Sequence, residues 1–132
     1  MYNKVLIIDD DEISIFLTEA VLDVAQFARE YVGFACAKEA LQELNFILGS
    51  GQFHKLPDVI FLDLNMPFLS GWDLLDSLKP FEEIIRNRCY IFILTSSVNE
   101  DEVEKAEDYG LVTGFIQKPL EEHAIAGIAK RN

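Results

Sequence analysis

The sequence of 132 residues contains only two cysteines, Cys36 and Cys89. Both lie in apolar contexts, and neither has a second cysteine or a histidine at the spacing of a metal site. We therefore predict that both are buried, reduced core residues, and we expect neither a disulfide nor a zinc site. The two histidines, His54 and His123, also lack a partner at ligand spacing, which predicts that both are solvated.

Long apolar runs and basic residues are also scarce. No apolar run approaches the roughly 20 residues that cross a bilayer, and the N-terminus lacks the residue order of a signal peptide. We therefore expect a cytoplasmic protein without a membrane span. Lys and Arg number 11 against 23 Asp and Glu, which gives a net charge of −12. Because nucleic acids and anionic membranes are bound through basic residues, this balance disfavours both and favours a protein partner.

The length fits one compact domain over residues 1–132, large enough to bury its own core. Repeats, low-complexity tracts and linkers are absent from the sequence. The one loose segment is "GSGQFHKLP", residues 49–57, which we predict to be a surface loop.

Short apolar runs alternate with segments of helical periodicity, which is typical of repeated strand–helix units and of a doubly wound parallel sheet. Continuous hydrophobicity within the runs predicts strands that are buried on both faces. The five predicted strands are residues 5–8, 31–35, 59–62, 90–94 and 114–116, and the five predicted helices begin near residues 13, 37, 70, 99 and 120. Ser70 and Asp73 fit the caps of the third helix, and Pro80 should break that helix.

Polar side chains follow four of the predicted strands. The carboxyl ends of parallel strands meet at one edge of the sheet, so these side chains should lie together. They are Asp9 and Asp10 after the first strand, Asp63 after the third, Thr95 at the end of the fourth and Lys118 after the fifth. Taken singly, each has an ordinary explanation, such as a helix cap at Asp10 or Asp11, but together they indicate a site.

Three adjacent carboxylates, Asp9, Asp10 and Asp11, repel one another unless a cation absorbs their charge. Mg²⁺ suits a site with a few carboxylates and positions left for water and phosphate. Asp63 stands alone at a central strand end and is therefore the candidate phosphoryl acceptor, because a carboxylate can form an acyl phosphate.

These motifs resemble the response-regulator receiver domain of two-component signalling. The acidic pair, Asp63 within "LDLNMPFLSG", Thr95 and Lys118 followed by Pro119 occur in the family's order. The resemblance covers essentially the whole chain. It implies a flavodoxin-like α/β fold with five parallel strands in the order 2-1-3-4-5 and five helices.

The resemblance also implies the metal and acceptor roles. Asp63 would receive the phosphoryl group from a histidine kinase or a histidine phosphotransfer protein. Asp10 would ligate Mg²⁺ directly, Asp9 mainly through water, and the backbone carbonyl of Asn65 would complete the protein's ligands. Lys118 would pair with Asp63 and then with the phosphoryl oxygens.

Switching roles follow from the same resemblance. The Thr95 hydroxyl would move to a phosphoryl oxygen, and Phe115 would swing inward as the aromatic switch residue; the alternative is that Phe115 is an ordinary core aromatic. The bond between Lys118 and Pro119 would be cis. The segment 95–110 carries six acids against the single Lys105, which predicts that a downstream protein with a basic patch binds the face formed by the fourth helix, the fifth strand and the fifth helix.

Two features depart from the usual pattern. The spacing from Asp10 to Asp63 is several residues longer than usual, which fits an extended second helix and a partner-specific loop at 49–57. The chain also stops after the fifth helix, which indicates a free-standing receiver without an output domain. Such a protein is no classical enzyme, although it is expected to dephosphorylate itself.

Two rival functions remain. A phosphohydrolase of the haloacid-dehalogenase type would need a second Asp at position 65, which is Asn65 here, and a cap domain. A receiver-like interaction module that is never phosphorylated would be expected to lack the acceptor or the lysine, whereas Asp63 and Lys118 are both present.

Overall fold

The computed structural model describes residues 1–96 and 98–131. Its centre is one parallel sheet of five strands in the order β2-β1-β3-β4-β5, as predicted. The strands are β1 (Tyr2–Ile8), β2 (Ala28–Phe34), β3 (Val59–Leu62), β4 (Tyr90–Thr95) and β5 (Val112–Gln117). The β3 bounds match the prediction, whereas β1, β2 and β5 each begin earlier than predicted.

The helices are α1 (Glu12–Val24), α2 (Ala37–Ser50), α3 (Gly71–Leu78), α4 (Glu82–Arg88), α5 (Glu100–Ala106) and α6 (Glu122–Ala129). A 3-10 turn at Lys79–Phe81 contains Pro80 and divides the third predicted helix into α3 and α4. The predicted break is therefore correct, and the fourth and fifth predicted helices correspond to α5 and α6.

The core has two layers, one on each face of the sheet. One layer contains buried residues of α2, α3, α4 and α5, and the other contains those of α1 and α6. All four residues of β3 are buried, as continuous hydrophobicity predicts. The prediction of burial on both faces is wrong for β2 and β5, because these strands lie at the edges of the sheet and are only partly covered.

Two local predictions also need correction. Cys89 is buried, and burial raises the pKa of its thiol, but Cys36 is exposed, because it precedes α2 at the open edge of the sheet. The segment 49–57 is more ordered than a surface loop. The helix α2 extends to Ser50, a 3-10 turn spans Phe53–Lys55, and Leu56 and Pro57 are buried.

No helix within the described residues is both long enough and apolar enough to cross a membrane.

The N-terminus of α3 packs directly against the end of β3. Ser70 and Asp73 form the predicted capping box. The N–H of Gly71 donates to the carbonyl oxygen of Leu64 at 3.0 Å. A Cβ atom at Gly71 would lie 2.6 Å from the Asp63 carbonyl oxygen and 2.8 Å from the Leu64 Cα. Glycine is therefore needed at position 71 because two backbone segments meet there.

The close contact at Gly71 predicts a large effect of a single methyl group. Gly71→Ala should destabilise the fold by about 1 to 3 kcal/mol, because backbone atoms must shift to make room. The matched control is Gly127→Ala in α6, where a Cβ would meet nothing within 4 Å. That change should stabilise the chain by about 0.5 to 1 kcal/mol. Thermal unfolding measures both, and equal effects of the two substitutions would contradict the packing argument.

Candidate functional site

Three carboxylates meet at the carboxyl edge of the sheet. One oxygen from each of Asp9, Asp10 and Asp63 lies within 4.8 Å of the other two. The parallel pairing of β1 with β3 aligns Ile8 with Leu62 and so brings the residues that follow these strands together. The N–H of Asp63 donates to the carbonyl oxygen of Ile8 at 2.9 Å, which extends the sheet by one bond.

Asp11, the third acid of the run, caps a helix. Its side chain accepts a hydrogen bond from the N–H of Ile13 at 2.9 Å, which satisfies the first turn of α1. Its own N–H donates to Asp9 Oδ1 at 3.0 Å. The helix-cap explanation is therefore correct for Asp11, whereas Asp9 and Asp10 face Asp63.

The ammonium group of Lys118 lies among the carboxylates. Its Nζ atom donates to Asp9 Oδ2 at 2.5 Å and lies 3.9 Å from Asp63 Oδ2. The shorter contact is thus to Asp9 rather than to Asp63, the partner that the resemblance implies. The N–H of Lys118 donates to the carbonyl oxygen of Thr95 at 2.7 Å, and Thr95 itself is buried. The Lys118–Pro119 peptide bond is cis.

Burial and charge shift the two inner carboxylates in opposite directions. Burial raises the pKa of Asp63, and the charges of Asp9 and Asp10 add to this rise; the N–H of Asn65, which donates at 3.2 Å, and Lys118 partly oppose it. Burial also acts to raise the pKa of Asp9. Its hydrogen bond from Lys118 and those from Asp11 and Ser14 outweigh burial and lower the pKa of Asp9.

The arrangement fits a hard divalent cation. Three carboxylates and one ammonium leave a formal charge of −2 in the cluster when the acids are ionised. All three donors are oxygen atoms, which Mg²⁺ prefers. Asp9 is buried and Asp10 is exposed, so the cluster opens to solvent on one side, where water and a phosphate can reach it.

Phe115, the candidate switch residue, lies in β5 opposite Ile93 of β4. Its half-buried side chain packs against the core layer of α2, α3, α4 and α5.

An apolar surface beside the site was not predicted from the sequence. The side chains of Ile13, Phe16 and Leu17 in α1 are 70%, 67% and 57% exposed. Ile13 and Leu17 line a groove of about 330 Å³ together with Lys118 and Pro119. One feature of the sequence could have indicated this surface. Apolar residues occupy nearly every side of α1, whereas a helix with one buried face needs them on that face only.

Phe68 is a second exposed apolar residue close to the acceptor in the chain. Its side chain is fully exposed, and its φ angle of 67° lies in the left-handed region. A bulky residue rarely adopts this conformation. No residue pattern indicates this conformation in advance, because "MPFLS" is typical of an ordinary turn.

Comparisons with known proteins agree with this geometry. A response regulator receiver domain model matches residues 5–130. Transcriptional regulatory protein BtsR of Escherichia coli is 34% identical over 125 residues, which cover 90% of this chain and 43% of BtsR. Sporulation initiation phosphotransferase F of Bacillus subtilis is 28% identical over 132 residues, covering 99% of this chain and 94% of that protein.

A crystal structure of a two component response regulator from Cytophaga hutchinsonii has the same fold, with a TM-score of 0.85 and 28% identity over 99% of this chain and 98% of that one. This chain spans less than half the length of several curated relatives that it matches.

Receiver domains generally act as phosphoacceptors rather than classical enzymes, bind Mg²⁺, and interact with histidine kinases or phosphotransfer proteins. The family match extends over nearly the whole chain and agrees with both the fold and the acidic edge of the sheet. This chain therefore belongs to the response regulator receiver domain family of two-component signalling.

Proposed function

We propose that the chain accepts a phosphoryl group on Asp63 from a histidine kinase or a histidine phosphotransfer protein. The observation that carries this proposal is the convergence of Asp9, Asp10, Asp63 and Lys118 at one edge of the sheet. The half-buried Asp63 is flanked by two carboxylates that can hold a metal and by an ammonium that can pair with a phosphate.

In the proposed transfer, the P–N bond to the donor histidine breaks and a P–O bond to an Asp63 carboxylate oxygen forms. The electron pair of the broken bond returns to the imidazole nitrogen, and the product is an acyl phosphate. Self-dephosphorylation is the attack of water on the same phosphorus, which releases inorganic phosphate and restores the Asp63 carboxylate.

Each neighbour of Asp63 has a role in this proposal. Asp9, Asp10 and Asp63, with the backbone carbonyl of Asn65, would hold Mg²⁺, which supplies positive charge against the phosphoryl oxygens when bound. Lys118, 3.9 Å from Asp63, is close enough to pair with these oxygens once it leaves Asp9. Asp10 is the exposed member of the cluster, which supports its role as the direct ligand.

The exposed face of α1 is the proposed docking surface for the phosphodonor protein. Ile13 and Leu17 share a groove with Lys118, so a protein that covers this face is held beside the acceptor. A protein bound to this face also removes apolar surface from water, which stabilises the complex.

The proposed output surface is the face formed by α5, β5 and α6. The Thr95 hydroxyl would move toward the phosphoryl group, and the Phe115 ring would fill the vacated space. Three acids occupy the first turn of α5, Glu100, Asp101 and Glu102, and Lys105 is its one basic residue. A downstream partner with a basic patch fits this surface best.

The acceptor prediction concerns Asp63→Asn. Wild-type protein incubated with acetyl phosphate and Mg²⁺ should gain the mass of one phosphoryl group, and the variant should stay folded and gain none. The variant should also melt at a higher temperature at neutral pH, because the raised pKa of Asp63 means that its ionised form is disfavoured by folding.

A hydroxylamine-sensitive adduct on Asp63→Asn would assign the acceptor to another residue. A wild type that gains no mass would favour the unphosphorylated interaction module instead.

The metal prediction concerns Asp10→Ala. A ligand that binds only the folded chain stabilises it by about 2.7 kcal/mol at a hundred times its dissociation constant. Millimolar Mg²⁺ should therefore raise the melting temperature of the wild type, and Asp10→Ala should remove most of that rise. The matched control is Asp23→Ala, an exposed acid of α1, which should keep the Mg²⁺ response. An unchanged response in Asp10→Ala would exclude Asp10 as a ligand.

The switching prediction concerns Thr95→Ala. This variant should still be phosphorylated at Asp63, but the amide NMR shifts of α5 and β5 should no longer change, because the hydroxyl that follows the phosphoryl group is missing. Thr95→Ser keeps that hydroxyl and should keep the spectral change. A full spectral change in Thr95→Ala would remove Thr95 from the mechanism.

A further inference from the structure

A group of aromatic and charged side chains joins α3 and the 3-10 turn that follows it to the segment around α5. The rings of Trp72 and Tyr109 lie with their centroids 5.3 Å apart. Lys105 Nζ stands 4.5 Å from the centre of the Trp72 ring, and Lys79 Nζ stands 4.3 Å from the centre of the Tyr109 ring. We call Trp72, Asp76, Lys79, Lys105 and Tyr109 the α3–α5 clasp.

A hydrogen bond fixes the orientation of the clasp. The Tyr109 hydroxyl donates to Asp76 Oδ1 at 2.8 Å, and Lys79 lies 3.6 Å from the same oxygen. Burial, together with Asp76, raises the pKa of Tyr109 to about 12, so the hydroxyl keeps its proton at physiological pH. One ring–cation contact, one ring–ring contact and one directed hydrogen bond therefore meet at the buried Tyr109, and the second cation contacts the neighbouring Trp72 ring.

The helix α5 has few other attachments. Of its seven residues, all of them described, only Ala106 is buried. Its other charged residues, Glu100, Asp101, Glu102 and Glu104, are all acidic. Lys105, the single cation of the helix, is the residue that contacts Trp72. The position of α5 therefore depends on the clasp more than on an apolar face of its own.

Both ends of the clasp connect to the candidate site. Trp72 directly follows Gly71, whose backbone packs against the Asp63 carbonyl. Tyr109 lies just before β5, and it belongs to the core layer against which Phe115 and Trp72 pack. A change of structure at Asp63 or Phe115 can thus reach the rings through the Gly71 backbone and through the shared core layer.

We propose that the α3–α5 clasp is a latch that holds α5 in its resting position and that opens when Asp63 is phosphorylated. This inference rests on the proposed function of Asp63. A contact present only in the resting state opposes the switch, so weakening the clasp makes the phosphorylated conformation easier to reach.

Trp72 is the only tryptophan of the chain, so its fluorescence reports on the clasp alone. The probes are acrylamide as quencher, and acetyl phosphate with Mg²⁺ as phosphodonor. Intact mass on the same samples gives the extent of phosphorylation. Phosphorylation of the wild type should raise the quenching constant of Trp72 by about twofold or more, because the population shifts to an open clasp.

Two variants weaken the clasp without removing a ring. Tyr109→Phe loses the hydrogen bond to Asp76, and Lys105→Met loses the cation over Trp72 but keeps a long side chain. Both should show raised Trp72 quenching before phosphorylation, a smaller further rise after it, and faster labelling by acetyl phosphate. The matched controls are Tyr31→Phe, whose hydroxyl accepts from Ala28 in β2, and Lys38→Met, an exposed position of α2; both should behave as the wild type.

The outcomes separate this inference from the proposed function. If mass shows full phosphorylation and Trp72 quenching does not change, the latch is wrong while the acceptor role stands. If no phosphorylation occurs, the acceptor role fails. In that case, Trp72 quenching in the unphosphorylated wild type is compared with that in the two unphosphorylated variants. Unchanged quenching in both variants would show that the clasp does not hold α5 and would overturn the inference. If both variants are labelled by acetyl phosphate at the wild-type rate, opening of the clasp is not coupled to phosphorylation of Asp63, and the inference is also overturned.

Discussion

The contact between Lys118 and Asp9 is the interaction on which the site depends. Asp9 is 3% exposed, and a buried carboxylate without a partner would cost several kcal/mol. The cation directly follows β5 and the anion directly follows β1, and β3 and β4 lie between these two strands. The 2.5 Å pair therefore forms only when the strands are in their native order, and it ties the chemistry of the site to the topology of the sheet.

The two inner carboxylates make stability depend on pH in opposite ways. The lowered pKa of Asp9 stabilises the fold above its ordinary value of 3.8, and this contribution is lost as the pH falls through the lowered value. The raised pKa of Asp63 means that the folded chain holds this proton more tightly than the unfolded chain. The contribution of Asp63 to stability is lost as the pH rises from 3.8 through the raised value. At neutral pH the fold therefore disfavours the ionised form of the acceptor. A bound cation offsets the charges of Asp9, Asp10 and Asp63, which is a reason for the site to bind one.

The sequence predicts best those parts of the fold that local rules determine. β3 is short, central and apolar throughout, and its predicted bounds match the structure. The Ser70 cap and the break at Pro80 depend on neighbouring residues alone. The strand ends converge because parallel topology requires it, which is why Asp9, Asp10 and Asp63 could be grouped in advance. Their membership in a magnesium site and the role of Phe115 are not tested by the fold and stay predictions.

Other features depend on contacts between distant segments. Cys36 has an apolar context in sequence, yet it lies beyond the end of an edge strand and is exposed. The residues of α1 show helical spacing, but spacing does not reveal which apolar residues face outward. Lys118 lies 2.5 Å from Asp9 and 3.9 Å from Asp63, and this preference depends on side-chain positions that no pattern of residue types records. The clasp joins residues more than thirty positions apart, such as Asp76 and Tyr109, and the sequence offers no sign of it.

The exposed face of α1 also affects how the protein behaves in solution. Ile13, Phe16, Leu17 and Val24 give every molecule a patch that could adhere to other molecules. The net charge of −12 keeps the molecules apart by mutual repulsion. That repulsion weakens in concentrated salt and vanishes near the isoelectric point of about 4.4. The acidic composition therefore acts as a colloidal stabiliser, and it allows the apolar face of α1 to stay exposed without causing aggregation.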